Sequence, residues 1–317
     1  MGLLNDARWM GAALALSERS RGRTAPNPNV GCVAVRDGVV VGRGWTQPGG
    51  RPHAEAMALA QAGAKSRGAT IYATLEPCAH VSPRGPACAD LLVEAGVARV
   101  VMALGDPDPR TNGKGAARLR DAGVDVVEGV AEVPARAAMA GFLTRQARGR
   151  PFVTLKLATS LDGRIALPSG ESRWITGPES RAHAHLERAR HEAILVGRRT
   201  AEIDQPRLDV RLPGLEARSP RRLVLSTSGD LRRPGDIAAL EGVDHLLVEG
   251  GAETAAAFLR EKLVDRLLLY RAPILIGAGK AALGDLGLAE LGAAHGRWRL
   301  TDTRMLGSDR LEVYAAS

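Results

Sequence analysis

The chain has 317 residues, 45% hydrophobic and 25% charged, the balance of a globular protein long enough for two domains. No apolar run is long enough to cross a bilayer and Met1-Gly2-Leu3-Leu4-Asn5-Asp6 lacks a basic, then apolar leader, so a cytoplasmic enzyme with no membrane partner is expected. The net charge of +8 suits an anionic partner, but aromatics are only 3% and no Lys/Arg block is interleaved with them, which favours a small phosphorylated ligand over nucleic acid.

Residues 5–19 carry apolar side chains at helical spacing. Residues 30–35 form a short apolar strand, and Asp37-Gly38 turns it into a second strand over 39–42. Residues 53–64 are Ala-rich and helical, 70–75 a strand, 89–95 a helix and 99–104 a strand. This alternation predicts helices packed on a largely parallel sheet. Around residues 145–151 the pattern breaks into Arg-Gln-Ala-Arg-Gly-Arg-Pro, which predicts domains at 1–148 and 149–317. Strands then resume over 152–157, 193–196, 222–225, 245–248 and 266–270, so the fold class is α/β in both halves.

The clearest chemistry lies in the first half. His53-Ala54-Glu55 opens a helix, a strand runs into Glu76-Pro77-Cys78, and Cys88 opens another helix. One imidazole and two thiolates supply three ligands of a tetrahedral zinc site and leave the fourth position for water. Three cysteines are too few for a disulfide framework. Cys32 sits inside an apolar strand and reads as core, and His80 reads as pocket lining. Zinc lowers the pKa of its water to roughly 7, and Glu55 can reach that water without binding the metal, so Glu55 is the expected proton carrier. The pattern is that of zinc nucleobase deaminases. Editors of nucleic acid typically have two residues between their cysteines; here Ala79 to Ala87 intervene, a loop that carries Arg84 and argues against such a substrate.

With Ala25-Pro26-Asn27-Pro28-Asn29-Val30-Gly31 before the site and Thr74-Leu75-Glu76-Pro77-Cys78 within it, the chain closely resembles the bifunctional riboflavin-biosynthesis deaminase/reductase family over nearly its whole length. The resemblance implies an N-terminal cytidine-deaminase-like α/β/α sandwich that removes an amino group from a diaminopyrimidine ribosyl phosphate. It also implies a C-terminal dihydrofolate-reductase-like α/β domain that reduces the ribose to ribityl with NADPH. Carried over by position, Asn27 contacts the pyrimidine, Arg84 faces the phosphate and Asp106 belongs to the pocket. The family usually reads Asp-Pro-Asn-Pro where this chain has Asp106-Pro107-Asp108-Pro109.

In the second half the resemblance rests on residues 155–164, 169–176, Arg188, 200–211 and Val248-Glu249-Gly250-Gly251. It places Ala158, Trp174, Thr200 and Asp204 on the cofactor, and Ser172, Arg188, Leu208, Arg211 and Glu249 on the substrate, with Lys156 nearby. Gln205 stands where the family usually has a second Asp. The residues themselves agree: Gly250 and Gly251 allow close backbone approach, and Thr254 begins a helix whose N-terminus suits cofactor phosphates. Arg188 and Arg211 have the chemistry to hold a sugar phosphate. Ile276-Gly277-Ala278-Gly279 imitates a dinucleotide fingerprint but lacks its third Gly and its acidic residue, and reads as a turn. The rival reading is a zinc deaminase of another pyrimidine or of nucleic-acid bases, with a non-catalytic second half. The sequence leaves a homo-oligomer open.

Overall fold

The computed structural model describes residues 3–80 and 82–317; Met1 and Gly2 of the leader reading, and Val81 of the cysteine loop, lie outside them. Two compact units divide the chain between Gly149 and Arg150. No helix among the described residues is long and apolar enough to cross a membrane.

The first unit runs α1 (Leu3–Ser17), β1 (Gly31–Arg36), β2 (Val39–Trp45), α2 (Ala54–Ala62), β3 (Thr70–Ala73), α3 (Cys88–Glu94) and β4 (Arg99–Met102). It ends with α4 (Lys114–Asp121), β5 (Asp125–Val127), α5 (Glu132–Ala138) and α6 (Ala140–Arg148). Its sheet has the order β2-β1-β3-β4-β5. Strands β3, β4 and β5 pair in parallel, but β1 pairs antiparallel with both β2 and β3, so the expectation of a largely parallel sheet is corrected to a mixed one. The cause is local: Asp37 and Gly38 take φ of 52° and 75°, and this tight turn returns β2 antiparallel to β1. The expected break at residues 145–151 begins later than read, because α6 continues to Arg148 and stops at Gly149, whose left-handed φ of 65° caps it.

Small residues set how closely α2 approaches the sheet. Ala54, Ala58 and Ala62 are its buried face, and a Cβ on Gly42 or Gly44 would run into the carbonyls of Ala58 and Ala54. Strand and helix therefore meet backbone to backbone. That contact fixes the N-terminus of α2, where His53 and Glu55 lie.

The second unit contains β6 (Phe152–Thr159), β7 (Arg164–Ala166), α7 (Pro178–Arg188), β8 (Ala193–Gly197), α8 (Arg198–Ile203) and β9 (Arg221–Leu225). There follow β10 (His245–Val248), α9 (Ala252–Arg260), β11 (Arg266–Arg271), β12 (Lys280–Ala281), β13 (Trp298–Leu306) and β14 (Asp309–Ala316). The main sheet has the order β13-β14-β11-β6-β10-β8-β9, parallel from β11 to β9 and antiparallel at β14 and β13. Strands β8 and β10 are buried throughout, as parallel strands covered on both faces should be. One face carries Val153, Leu155, Leu195, Leu246 and Val248 against Ala255 and Phe258 of α9. The other face lies under α7, where His183 bonds Tyr270 and Arg188 bonds Glu249. The β13–β14 hairpin is absent from the sequence reading, because β13 is largely exposed on both sides and shows no alternation.

Candidate active sites

In the first unit, His53 sits immediately before α2 with an extended backbone (φ −72°, ψ 162°) while its carbonyl accepts the N–H of Met57 at 3.2 Å. Its Nδ1 lies 3.3 Å from Cys88 Sγ and 3.6 Å from Cys78 Sγ, and the three donor atoms fall within 4.8 Å of one another. Tetrahedral zinc, with bonds of about 2.3 Å to sulfur and about 2.0 Å to nitrogen, sets such donors roughly 3.5 Å apart, so the triangle fits the ion. The Cys78 thiol is pulled down to about 4 by a hydrogen bond from the Cys88 side chain, against burial and with help from His53. Its partner Cys88 is pushed up by that same bond and by burial; a bound metal would need both as thiolates. Among the described residues His80 stands outside this cluster, facing Thr111 Oγ1 at 3.3 Å, so no fourth protein ligand closes the site. Cys32 is fully buried in the core.

Glu55, the second residue of α2, is only 3% exposed, and burial raises its pKa with the Cys78 charge adding to the effect and His53 opposing it. A carboxyl with raised proton affinity beside the metal ligands is suited to take a proton and give it back.

Asn27 reaches the other side of the ring, its Nδ2 lying 3.3 Å from His53 Nε2. Gly50 is forced here: its φ is 88°, and a Cβ would stand 2.6 Å from Asn27 Cγ. Arg84 rides on the tip of the cysteine loop, where Ser82 and Gly85 bond each other, and donates to Asn27 Oδ1 at 3.2 Å and to the Gly49 carbonyl at 3.0 Å. Asp106 is buried, and burial first, then the charges of Asp108 and Glu76, push its pKa up to about 6. Asp108 is paired with Arg110, whose Nε reaches both its oxygens at 3.0 Å, so the charge added by the departure from Asn is neutralised on the spot.

In the second unit Lys156, Arg188 and Glu249, three of the expected substrate residues, come together where β10 ends, the side on which ligands bind in open α/β sheets. Arg188 donates to Glu249 through Nε at 2.8 Å and Nη2 at 2.9 Å, and Lys156 Nζ stands 3.8 Å from the same carboxylate. Burial alone would raise the Glu249 pKa, but Lys156 and Arg188 together hold it at about 2. The sequence reading missed Asp209, which joins the group: its carbonyl accepts Arg188 Nη1 at 3.1 Å, and its carboxylate pairs with Arg207 and Arg211, each at 2.8 Å. An open cavity of ≈ 410 Å³ is lined by Arg207, Asp209, Arg211 and Ser219 among others.

Four of the expected cofactor residues, Thr200, Gly250, Gly251 and Thr254, gather where α8 and α9 begin. A Cβ on Gly250 would lie 2.7 Å from Thr254 Cβ, and one on Gly251 would lie 3.5 Å from Thr200 Oγ1. Glycine thus leaves the first amides of α9 open to an anion, a fit for the phosphates of NADPH. Trp174 is 65% exposed with the Arg181 guanidinium 4.8 Å from its ring centroid, and exposed Ser172 lies two residues earlier. Arg173, between them, donates to the Asp204 carbonyl at 3.1 Å and ties this loop to the segment after α8. Ala158 is half-buried beside Tyr270. Leu208 points its side chain into a cluster with Ile194, Val196 and Leu247, so only its backbone, at φ 54°, is free to meet a ligand. Gln205 is exposed, and nothing in the structure explains the loss of a carboxylate there. The Ile276–Gly279 stretch is a turn, as read, with Ile276 and Gly277 donating to Asp162 at 3.1 and 2.7 Å.

Fold and sites together define a two-headed enzyme, a zinc-dependent deaminase joined to an NADPH-dependent reductase. Residues 4–104 match the cytidine and deoxycytidylate deaminase zinc-binding region, and residues 151–241 and 236–311 match the RibD C-terminal domain. The riboflavin biosynthesis protein RibD of Escherichia coli is 38% identical, covering 96% of this chain and 98% of its own. The structure of Acinetobacter baumannii RibD superposes with a TM-score of 0.86 at 35% identity over the whole of both chains. A Thermotoga maritima diaminohydroxyphosphoribosylaminopyrimidine deaminase/5-amino-6-(5-phosphoribosylamino)uracil reductase gives 0.88 at 30% identity over 99% of each. The chain belongs to the RibD family of bifunctional riboflavin-biosynthesis deaminase/reductases. The match of its second half to the RibD C-terminal domain sets aside the rival of a non-catalytic module.

Proposed function

We propose that the protein deaminates 2,5-diamino-6-ribosylamino-4(3H)-pyrimidinone 5′-phosphate and then reduces the ribosyl group to ribityl, with residues 1–148 as the deaminase domain and 149–317 as the reductase domain. The observation that carries the first step is the His53, Cys78 and Cys88 triangle with buried Glu55 at its edge. When bound, zinc supplies a water acidified for attack at neutral pH. Glu55 would take one proton from that water and pass it to the ring nitrogen, then take the second from the hydroxyl now on the ring carbon and pass it to the amine, which leaves as ammonia. Asn27 orients the pyrimidine, Arg84 meets the phosphate and Asp106 lines the pocket. Aspartate 108, paired with Arg110, adds no net charge to that wall.

In the reductase, NADPH supplies a hydride to the opened or imine form of the ribose. Lys156 is the suited proton source in its cluster, because a guanidinium such as that of Arg188 does not give up its proton. Ser172, Arg188, Leu208, Arg211 and Glu249 bind the substrate. Ala158, Trp174, Thr200, Asp204, Gly250, Gly251 and Thr254 bind the cofactor. The nine-residue loop between the cysteines and the scarcity of aromatics support a small phosphorylated pyrimidine rather than nucleic acid as partner. Three free cysteines suit the reducing cytoplasm, no membrane partner is invoked, and a homo-oligomer is compatible with this reading.

The test is one cuvette containing protein, the diaminopyrimidine ribosyl phosphate and NADPH, with ammonia and absorbance followed together. Ammonia release followed by NADPH consumption is expected. Ammonia without NADPH consumption would remove the second half of the proposal, and ammonia released only from RNA would remove the first.

A further inference from the structure

The Glu76 carboxylate, only 3% exposed, accepts four backbone N–H groups: Asp106 at 3.1 Å, Gly113 at 2.9 Å, Gly115 at 2.9 Å and Ala116 at 3.0 Å. Gly115 and Ala116 lie in the first turn of α4, which favours a negative charge. The Asp106 and Gly113 amides bracket a loop and close it onto the strand end that continues into Pro77 and Cys78. From this anchor a relay of short turns runs outward. Asp106 Oδ1 accepts the N–H of Asp108 at 2.9 Å, and Asp108 Oδ1 accepts the N–H of Arg110 at 2.9 Å. Thr111 Oγ1 adds a second tie by accepting the N–H of Ala79 at 3.4 Å. Gly115 lets α4 come this close, since a Cβ there would strike the Pro77 carbonyl. Removing a buried acceptor strands every donor that relied on it, so the loop has no alternative seat of equal quality.

We propose that Glu76 is a positioning residue of the deaminase: it holds the 105–113 loop, and Asp106 with it, against the metal loop so that substrate meets a preformed wall. This rests on the reading of Asp106 as a substrate contact. Both oxygens of the Glu76 carboxylate are occupied by backbone amides of the loop and of α4, so it acts through them.

The experiment uses full-length Glu76→Gln and Asp106→Ala, measuring zinc content, KM and kcat of ammonia release, and NADPH consumption on the deaminated intermediate. Glutamine keeps the shape but turns an N–H₂ toward amide donors. Glu76→Gln is expected to keep its zinc and its NADPH step, and to raise the deaminase KM about tenfold with a smaller change in kcat. Zinc lost in step with activity would overturn the proposal, because Glu76 would then serve the metal loop. Wild-type kinetics in Glu76→Gln would overturn it as well, whatever Asp106→Ala shows. A raised KM in Glu76→Gln beside wild-type kinetics in Asp106→Ala upholds the anchor and moves the substrate contact to another residue of the loop. If Glu76→Gln loses the first unit's fold, read as a lost thermal transition relative to wild type, Gly115→Ala, which pushes α4 away from Pro77 and leaves the carboxylate intact, is read by the same criteria.

Discussion

Arg188 holds Glu249 end to end, Nε on Oε1 at 2.8 Å and Nη2 on Oε2 at 2.9 Å, across the gap between α7 and β10. Both side chains are largely buried, so removing the guanidinium leaves Lys156, 3.8 Å away, to balance the carboxylate. Arg188→Ala is expected to cost about 3–5 kcal/mol of stability. The pH dependence carries a sign: Glu249 is held at about 2, below its ordinary 4.5, so the pair stabilises the fold above 4.5 and that stability is lost as pH falls through the lower value. Thermal midpoints of wild type and Arg188→Ala across the acid range check this. A wild-type midpoint that does not fall on the acid side would contradict the assignment.

Glu55→Gln removes the proton carrier and leaves the metal ligands in place. Zinc is expected to remain bound while ammonia release falls by roughly 10²–10⁴-fold, the usual worth of a positioned acid/base. NADPH consumption on already deaminated substrate is the internal control and should not change. Near-normal ammonia release would take the proton-carrying role away from Glu55.

Asp106 titrates near the working range. Its pKa of about 6 lies above the ordinary 3.8 because of burial, so its folding contribution is full below 3.8 and lost as pH rises through 6. Binding should show the same titration, with the deaminase KM changing as pH crosses that value. Asp106→Asn is expected to flatten this part of the KM profile and leave the Glu55-dependent kcat profile in place. A wild-type KM that is level across the interval would remove Asp106 from the binding wall.

The metal site was legible because its signals are local: a His before a helix, a Glu two residues on, and a Cys just past a strand. Glu76 lay inside the motif, yet its role was invisible, since its partners are backbone amides 30 to 40 residues downstream and an amide has no sequence signature. Asp209 was hidden in the same way, because it acts through other arginines. Turn chemistry gave the β1–β2 hairpin, through Asp37-Gly38, but not that β1 would also pair antiparallel with β3. Leu208 shows the opposite limit: position pointed to it, while its side chain belongs to the core.

Trp174 offers a direct probe of the cofactor side. A large ring that stays 65% exposed, with the Arg181 guanidinium 4.8 Å from its centroid, is uncommon unless something else covers it. Arg181 also donates to the Thr176 carbonyl at 2.7 Å, so the cation under the ring is itself fixed to the loop. Trp174→Ala is expected to raise the KM for NADPH about tenfold, close to 1.4 kcal/mol of binding. Trp174→Phe, which keeps a face for stacking, should recover most of that loss. Ammonia release should be indifferent to both substitutions, because the ring belongs to the reductase unit. NADPH titration by fluorescence, run beside both kinetic assays, separates binding from turnover. Unchanged NADPH affinity in Trp174→Ala would mean that the exposed ring serves the loop and not the cofactor.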